Sequence, residues 1–551
     1  MTTREPKELD YFWTPPPSPS SSEWMGPEIG ATNVVTRTKS RTAHHDKTLD
    51  KDPQARDALI GRAQAFADTQ ETWTHDVVIH GIRVRATTNM PHLYDFWVDN
   101  WFSVEEWRDS SGREPPEEPQ VQVYALGNVP DEEEAAYYSR QRNTIVFFNT
   151  SYYGQLKSWV LGAVGRILAD QYGIHSIHGA AVRAGGKGIL FIAPTGTGKS
   201  TASYGLMRIP DSLFHSDDWV YVRYAVALKD GSRLAPVSLR LADGSTVRGY
   251  RILPWLAAHA PGPGDTVEGL TLDDDIRSCP ATEIGQDAPL AAYAYISEKR
   301  FYLRTNIVES FPTVAPALLR SKLENCPDVS QAFLERHQQH LAHALRGLDH
   351  HHAGSPEETK RDIARLMAFP NARAIMDVAG VFGAGRIYSS PLAPMQLSSV
   401  FLLRRDTEDT LVLRRLTEGQ FIADLLIGKT PQDTYETAYN AYRAVDDAEE
   451  RRFLEIARDR ARDGAGWEER LLAEVTRAPD APVSLSEEFT LFRQLYRSAA
   501  CFELNTILKA DPAVESTPEA VELTLRLLER AASETPQKID LHLNEYAGYL
   551  R

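Results

Sequence analysis

The sequence predicts a mixed α/β fold in which a buried sheet delivers a glycine-rich loop to its edge, with a small β-rich lobe before that domain and an α-helical region after it. Three stretches carry this expectation. "GILFIAPTGTGKST", residues 188–201, joins a short apolar run to a loop with two glycines and then to residues fit to open a helix. "HDVVIHGIRVRATTN" alternates apolar Ile82, Val84 and Ala86 with Arg83 and Arg85, the two-residue period of a half-buried strand. "TPEAVELTLRLLERAAS" repeats its apolar residues at helical spacing, with Thr517 as a cap before first-turn Pro518.

A chain of 551 residues exceeds the size at which one core stops growing, about 250–300 residues, so several units are expected. Residues 1–60 are rich in Pro, Ser, Thr and charge and lack a sustained apolar period, which reads as a disordered arm. Residues 61–155 make the β-rich lobe; "VQVYALG" and "NTIVFFN" add two strands to it, and acidic "PDEEEAA" between them is a solvated face. Residues 156–410 make the loop-bearing domain, opened by a helix whose core stripe (Leu156, Trp159, Val160, Ala163, Val164, Ile167, Leu168) stops at Gly173. Short apolar runs then alternate with loops as far as "LSSVFLLRRD". Residues 411–551 are helical in period and composition.

The totals exclude some classes of function. A net charge of −16 argues against a nucleic-acid binder, which carries a basic footprint for phosphate backbones. No apolar run approaches the roughly 20 residues that span a bilayer, so no membrane partner is expected. Cys279, Cys326 and Cys501 lie far apart and form neither a C-x-x-C pair nor a disulfide framework. With no basic leader followed by an apolar core, the expected location is the cytoplasm.

The chemistry lies in the loop. Gly188 to Ala193 supplies a buried strand; Pro194, Thr195, Gly196, Thr197 and Gly198 supply a bend whose N–H groups converge on an anion; Lys199, Ser200 and Thr201 open a helix whose positive end faces it. Glycines permit the close backbone approach to phosphate. In such loops the lysine reaches the β- and γ-phosphates and the following hydroxyl ligates Mg²⁺. Ala193 stands where the pattern G-x-x-x-x-G-K-[ST] has its first glycine.

Two further stretches complete the reading. In "SLFHSDDWVYV", Asp217 and Asp218 follow a strand end, so one carboxylate can hold the metal while the other accepts the proton of an attacking hydroxyl. His178 precedes Lys199 by one strand and the hairpin-like "RAGGKG", which places both at the same end of the sheet, where an imidazole can orient an acceptor, ligate a metal or tune the acids.

His178-Gly179, the G-x-G-K-S-type loop and the Asp217-Asp218 pair, in this order, resemble the HPr kinase/phosphorylase family and its relatives, among them phosphoenolpyruvate carboxykinase; the similarity covers residues 170–225. The resemblance implies a carboxykinase-like P-loop domain that transfers phosphate from ATP, with Mg²⁺ or alternatively Mn²⁺, to the hydroxyl of a small molecule, peptide or protein. It implies Asp218 as the general base and His178 in the active site, which leaves Asp217, with Ser200 of the loop, as candidate metal ligands. The loop-to-acid spacing here is one residue longer than the family's.

Later stretches add candidates. Glu309, near Arg304, is a candidate metal ligand, and Arg386, after a glycine-rich turn, is a candidate stabiliser of the transferring phosphate. His337, His340 and His343 step along one helix without a completing ligand and read as a solvated face. Other readings of the loop are a carboxykinase-like lyase and a non-catalytic ATP-binding scaffold. The helical tail is a candidate acceptor pocket, lid or homo-oligomer interface.

Overall fold

The computed structural model describes residues 46–149, 153–194, 197–285, 287–303, 374–376, 382–426, 447–461, 466–477 and 483–551. The chain enters through β1 (Asp46–Thr48) and α1 (Pro53–Asp68). The helix starts where Asp52 accepts hydrogen bonds from the Gln54 and Ala55 amides and Pro53 occupies the first turn. Its Ala63 and Ala67 pack on Leu126, Val146 and Phe148. The arm expected over residues 1–60 is therefore too long; residues 1–45 lie outside the described ones, but the last part of the range is structured. Leu59, Ile60, Ala63, Phe66 and Ala67 do recur at helical spacing, a local signal that averaging over sixty residues dilutes.

β2 (Trp73–Ile79) and β3 (Ile82–Thr88) form a hairpin turned by His80 and Gly81, and β3 alternates buried and half-buried residues along its whole length, as its sequence predicts. With β4 (Phe102–Ser103), β5 (Val121–Leu126), β6 (Ala135–Ser139) and β7 (Thr144–Phe148) they form a seven-stranded sheet in the order β1-β6-β7-β5-β3-β2-β4. α2 (Tyr153–Tyr172) then passes between this lobe and the rest of the molecule. Only one core stripe is expected on it, yet every residue from Gln155 to Ala169 except Ser158 is buried, because both sides of the helix are covered.

The second sheet has fourteen strands. Its working part comprises β8 (Ile174–Ile177), β9 (Gly179–Ala184), β10 (Lys187–Ile192), β11 (Leu213–Ser216) and β12 (Val220–Ala227). β13 (Arg233–Arg240), β14 (Thr246–Arg248), β15 (Thr266–Leu270) and β16 (Ile276–Pro280) extend one edge over a small core of their own. β17 (Leu290–Ile296) returns beside β12; β18 (Phe301–Leu303) and β19 (Ala374–Met376) form a separate pair. β20 (Met395–Arg404) is the hub: its first residues pair with β17, and the remainder lies parallel to β10 on one side and parallel on the other to β22 (Ala500–Asn505).

That last pairing corrects the expectation of an all-helical region over 411–551. β21 (Leu411–Arg415), β22 and β23 (Asp540–His542) all belong to the main sheet, interleaved with helices. "ACFELN" is six residues long and buried on both faces, so it carries no alternation to announce it among strong helical periods. The helices themselves are present: α4 (Glu418–Leu426) and α5 (Val483–Ser498) cover one face, and α6 (Thr517–Glu534) covers the other beside α3 (Lys199–Leu206). The cap of α6 is Ser516, one residue before the expected Thr517; its hydroxyl accepts from the Glu519 amide. Among the described residues no helix is long and apolar enough to cross a membrane.

The contact between β10 and β20 sets the position of the loop, and it depends on Gly188. A Cβ there would stand 2.1 Å from the Gln396 carbonyl oxygen. Gly188→Ala should therefore cost about 1–3 kcal/mol or more through backbone displacement. Gly61→Ala, in open space on α1, should instead add about 0.5–1 kcal/mol. Urea unfolding of the two variants against the parent checks both signs.

Candidate active site

Two long strands each break at polar residues. Residues 174–184 run straight from β8, paired with β12, into β9, paired with β10 and β11; the break is His178. Residues 213–227 likewise pass from β11 into β12, and there the break is at Asp217 and Asp218. The breaks face each other, tied by a 3.1 Å hydrogen bond from the Gly179 amide to the Asp218 carbonyl. Because Ile192 pairs with Gly179, β10 ends at the same level, and its loop opens onto both.

The loop departs from Ala193, which is fully buried and lies outside the left-handed backbone region, so glycine is not required there. Gly198 is different. With φ of 103° it caps α3, a conformation that a side chain resists. Pro194 and Thr197 are buried, the Thr197 hydroxyl donating to the Pro194 carbonyl at 2.8 Å. Thr195 and Gly196 lie outside the described residues. Lys199, Ser200 and Thr201 form the first turn of α3, as expected.

Lys199 turns back into the cleft. Its Nζ lies 3.0 Å from His178 Nε2 and 3.4 Å from Asp218 Oδ1, and the same ring nitrogen is 3.1 Å from that carboxylate oxygen. A second lysine, which the sequence reading missed, holds the other oxygen: Lys157 Nζ is 2.9 Å from Asp218 Oδ2 and 2.8 Å from Glu298 Oε1. Asn100 donates to Glu298 from the lobe. Lys157 and Glu298 are almost wholly buried, whereas the Asp218 side chain keeps 29% of its surface in the cleft. A lysine inside a helix buried on all sides has to be paired, and that was the available signal; reading α2 as a one-sided stripe hid it.

The two acids differ. Burial raises Asp217, and the Asp218 charge raises it further, to about 7. Burial would raise Asp218 as well, but Lys157 and Lys199, with His178, outweigh it and hold that carboxyl well below the ordinary range. His178 is lowered, by burial first and by Lys199 second, so its ring is neutral near pH 7. Glu298 is raised by burial.

Ser200 hydrogen-bonds to Asp217, whose buried Oδ1 finds no hydrogen-bond partner. A hydroxyl and an unsatisfied carboxylate oxygen at the mouth of a glycine-bounded loop are ligands of the kind accepted by Mg²⁺, which takes one or two protein oxygens and completes its shell with water and phosphate. Among the described residues no group of three or more His, Cys, Asp or Glu side chains forms a metal cage, so a metal held by protein alone has no support there.

Arg386 is not in this cleft. Its guanidinium donates to the carbonyls of Ser212, Met207 and Ile209, closing the C-terminal end of α3, about 12 Å along the helix from Lys199. A glycine-rich turn before an arginine fits a helix-end clamp as well as a phosphate ligand, and the sequence does not distinguish them. Arg304, Glu309, His337, His340 and His343 lie outside the described residues.

Lys157→Met should cost about 3–5 kcal/mol, since it leaves buried Glu298 without its cation and Asp218 with Lys199 alone, and adding Glu298→Gln should recover part of the loss; a double-mutant cycle by chemical unfolding measures this. Asp217 gives a pH dependence of definite sign. Its folded form keeps a proton up to about pH 7 while the unfolded form loses it near 3.8, so stability falls as pH rises between those values, by up to about 4 kcal/mol. Asp217→Asn should flatten that fall and be more stable than the parent at pH 8 in nucleotide-free buffer, as unfolding titrations at several pH values would report. No model of a known protein family matches this chain, and no curated protein matches it significantly.

Proposed function

We propose that the protein is an ATP-dependent kinase of the HPr kinase-like type, built on a carboxykinase-like P-loop domain, that transfers the γ-phosphate of ATP to a hydroxyl of a small molecule, peptide or protein in the cytoplasm. The observation that carries this reading is the convergence of Lys199 with His178 and Asp218, at 3.0 and 3.4 Å, directly beneath a loop capped by a positive-φ glycine. A solvated acidic turn or a chance glycine-rich bend has no reason to meet in this way.

Each residue then has a task. The loop amides and the first turn of α3 cradle phosphate. Lys199 exchanges its carboxylate partner for the β- and γ-phosphates. Mg²⁺, when bound, neutralises charge between phosphate oxygens; Ser200 and Asp217 would hold it. Asp218 has one face open to the cleft and takes the proton of the acceptor hydroxyl. Its low proton affinity beside two lysines is a property of the resting site; once Lys199 turns to phosphate, one counter-charge leaves and Asp218 becomes a stronger base. His178 then orients Asp218, and Lys157 with Glu298 and Asn100 keeps the carboxylate aimed.

The test is mass spectrometry of a cell extract incubated with the protein and labelled ATP. One new phosphorylated species is expected with the parent and none with Lys199→Ala; Asp218→Asn should slow transfer about 10²–10⁴-fold. Transfer retained in Lys199→Ala removes the loop from the mechanism. Oxaloacetate-dependent release of CO₂ would favour the lyase instead, and ATP binding without turnover across a broad acceptor screen would favour a scaffold.

A further inference from the structure

β20 ends in two adjacent arginines whose surroundings are opposite. Arg404 is compensated three times over, by Asp406, Asp409 and Glu503. Arg405, half-buried, has no carboxylate at ion-pair distance among the described residues. Its Nε donates to Thr506 Oγ1 at 3.2 Å, and that hydroxyl lies 3.1 Å from the Thr197 carbonyl of the loop. The Thr506 methyl also faces Gly198, being the nearest neighbour of a Cβ placed there, at 3.9 Å. Through this hydroxyl Arg405 is linked to the Thr197 carbonyl of the loop, and the same hydroxyl lies 3.1 Å from the Arg404 carbonyl.

A half-buried cation next to an anion-binding loop, without an anion of its own, is matched by the ligand. Its place in the sheet says which part. Strand order across the mouth is β11-β9-β10-β20, with β22 on the far side of β20. Lys199, His178 and Asp218 mark the β9–β11 flank. Arg405 stands on the other flank of β10, two strand spacings or about 10 Å from the His178 break. We infer that Arg405 binds the α-phosphate end of the nucleotide, bonding through the guanidinium nitrogens not used on Thr506. The inference rests on the kinase reading of the loop and adds a second cation to the nucleotide site.

Isothermal titration of the full chain with Mg²⁺-ATP and with Mg²⁺-ADP tests it, using the parent, Arg405→Ala, Arg405→Lys and Thr506→Val. An α-phosphate contact is common to both nucleotides, so Arg405→Ala should weaken ATP and ADP by the same factor, about 10- to 100-fold. Arg405→Lys should recover part of this, and Thr506→Val, which releases the guanidinium and the Thr197 carbonyl but keeps the cation, should show a smaller equal loss for both. Parent-like binding by Arg405→Ala overturns the inference and leaves the kinase reading standing. A loss confined to ATP also overturns it, because it places the arginine at the γ-phosphate. If the parent binds neither nucleotide, the kinase reading falls and this inference with it.

Discussion

The Asp218 carboxylate, gripped on one oxygen by Lys157 and on the other by Lys199, with His178 Nε2 3.1 Å away, is the interaction on which the site depends. Burying charges is costly unless they are paired and hydrogen-bonded, and here the pairing reaches through the molecule. Lys157 comes from the helix between the two sheets, Glu298 from the end of β17, and Asn100 from the lobe. Removing the lobe would leave Glu298 without its amide donor. The β-rich lobe is thus part of the support of the site, not an independent module on the same chain.

How two broken strands create this cluster is a matter of backbone accounting. A strand that switches neighbours has to release its ladder hydrogen bonds for a residue or two, and those groups need other partners. The Gly179 amide finds the Asp218 carbonyl in the opposite break. Placing both breaks level with the end of β10 puts the released residues, the loop, Arg405 and Thr506 on one edge of the sheet. β10, β20 and β22 are parallel, so their C-terminal ends share that edge, the side on which α/β sheets bind ligands.

Much of this was legible in the sequence, for identifiable reasons. "GILFIAPTGTGKST" and "SDDW" are local: spacing and residue type alone assign strand, bend and helix start, and the structure has them. The alternation of β3 was equally plain. Lys157, Glu298, Asn100 and Arg405 were not, because each acts through a partner 61 to 198 positions away, and no local period encodes such a meeting. β22 failed for a different reason: a strand buried on both faces lacks the alternation by which strands are recognised, and its apolar run blends into helical neighbours. Arg386 shows the converse error, a chemically suggestive residue used for closing a helix.

One ring nitrogen of His178 faces both a donor and an acceptor. A neutral imidazole with bare Nε2 accepts from Lys199; with Nε2–H it donates to Asp218; it cannot do both. In the resting cleft Lys199 supplies the proton and the bare form is the satisfied one. In the proposed reaction the lysine leaves for phosphate, and Nε2 then lacks a donor unless the tautomer changes, after which His178 can bond the carboxylate that Lys199 has just released. The two events compensate each other: the lost ammonium raises the basicity of Asp218, and the gained N–H fixes its orientation. Base and phosphate donor would be readied together, so Asp218 stays masked by lysine for as long as the loop is empty of nucleotide.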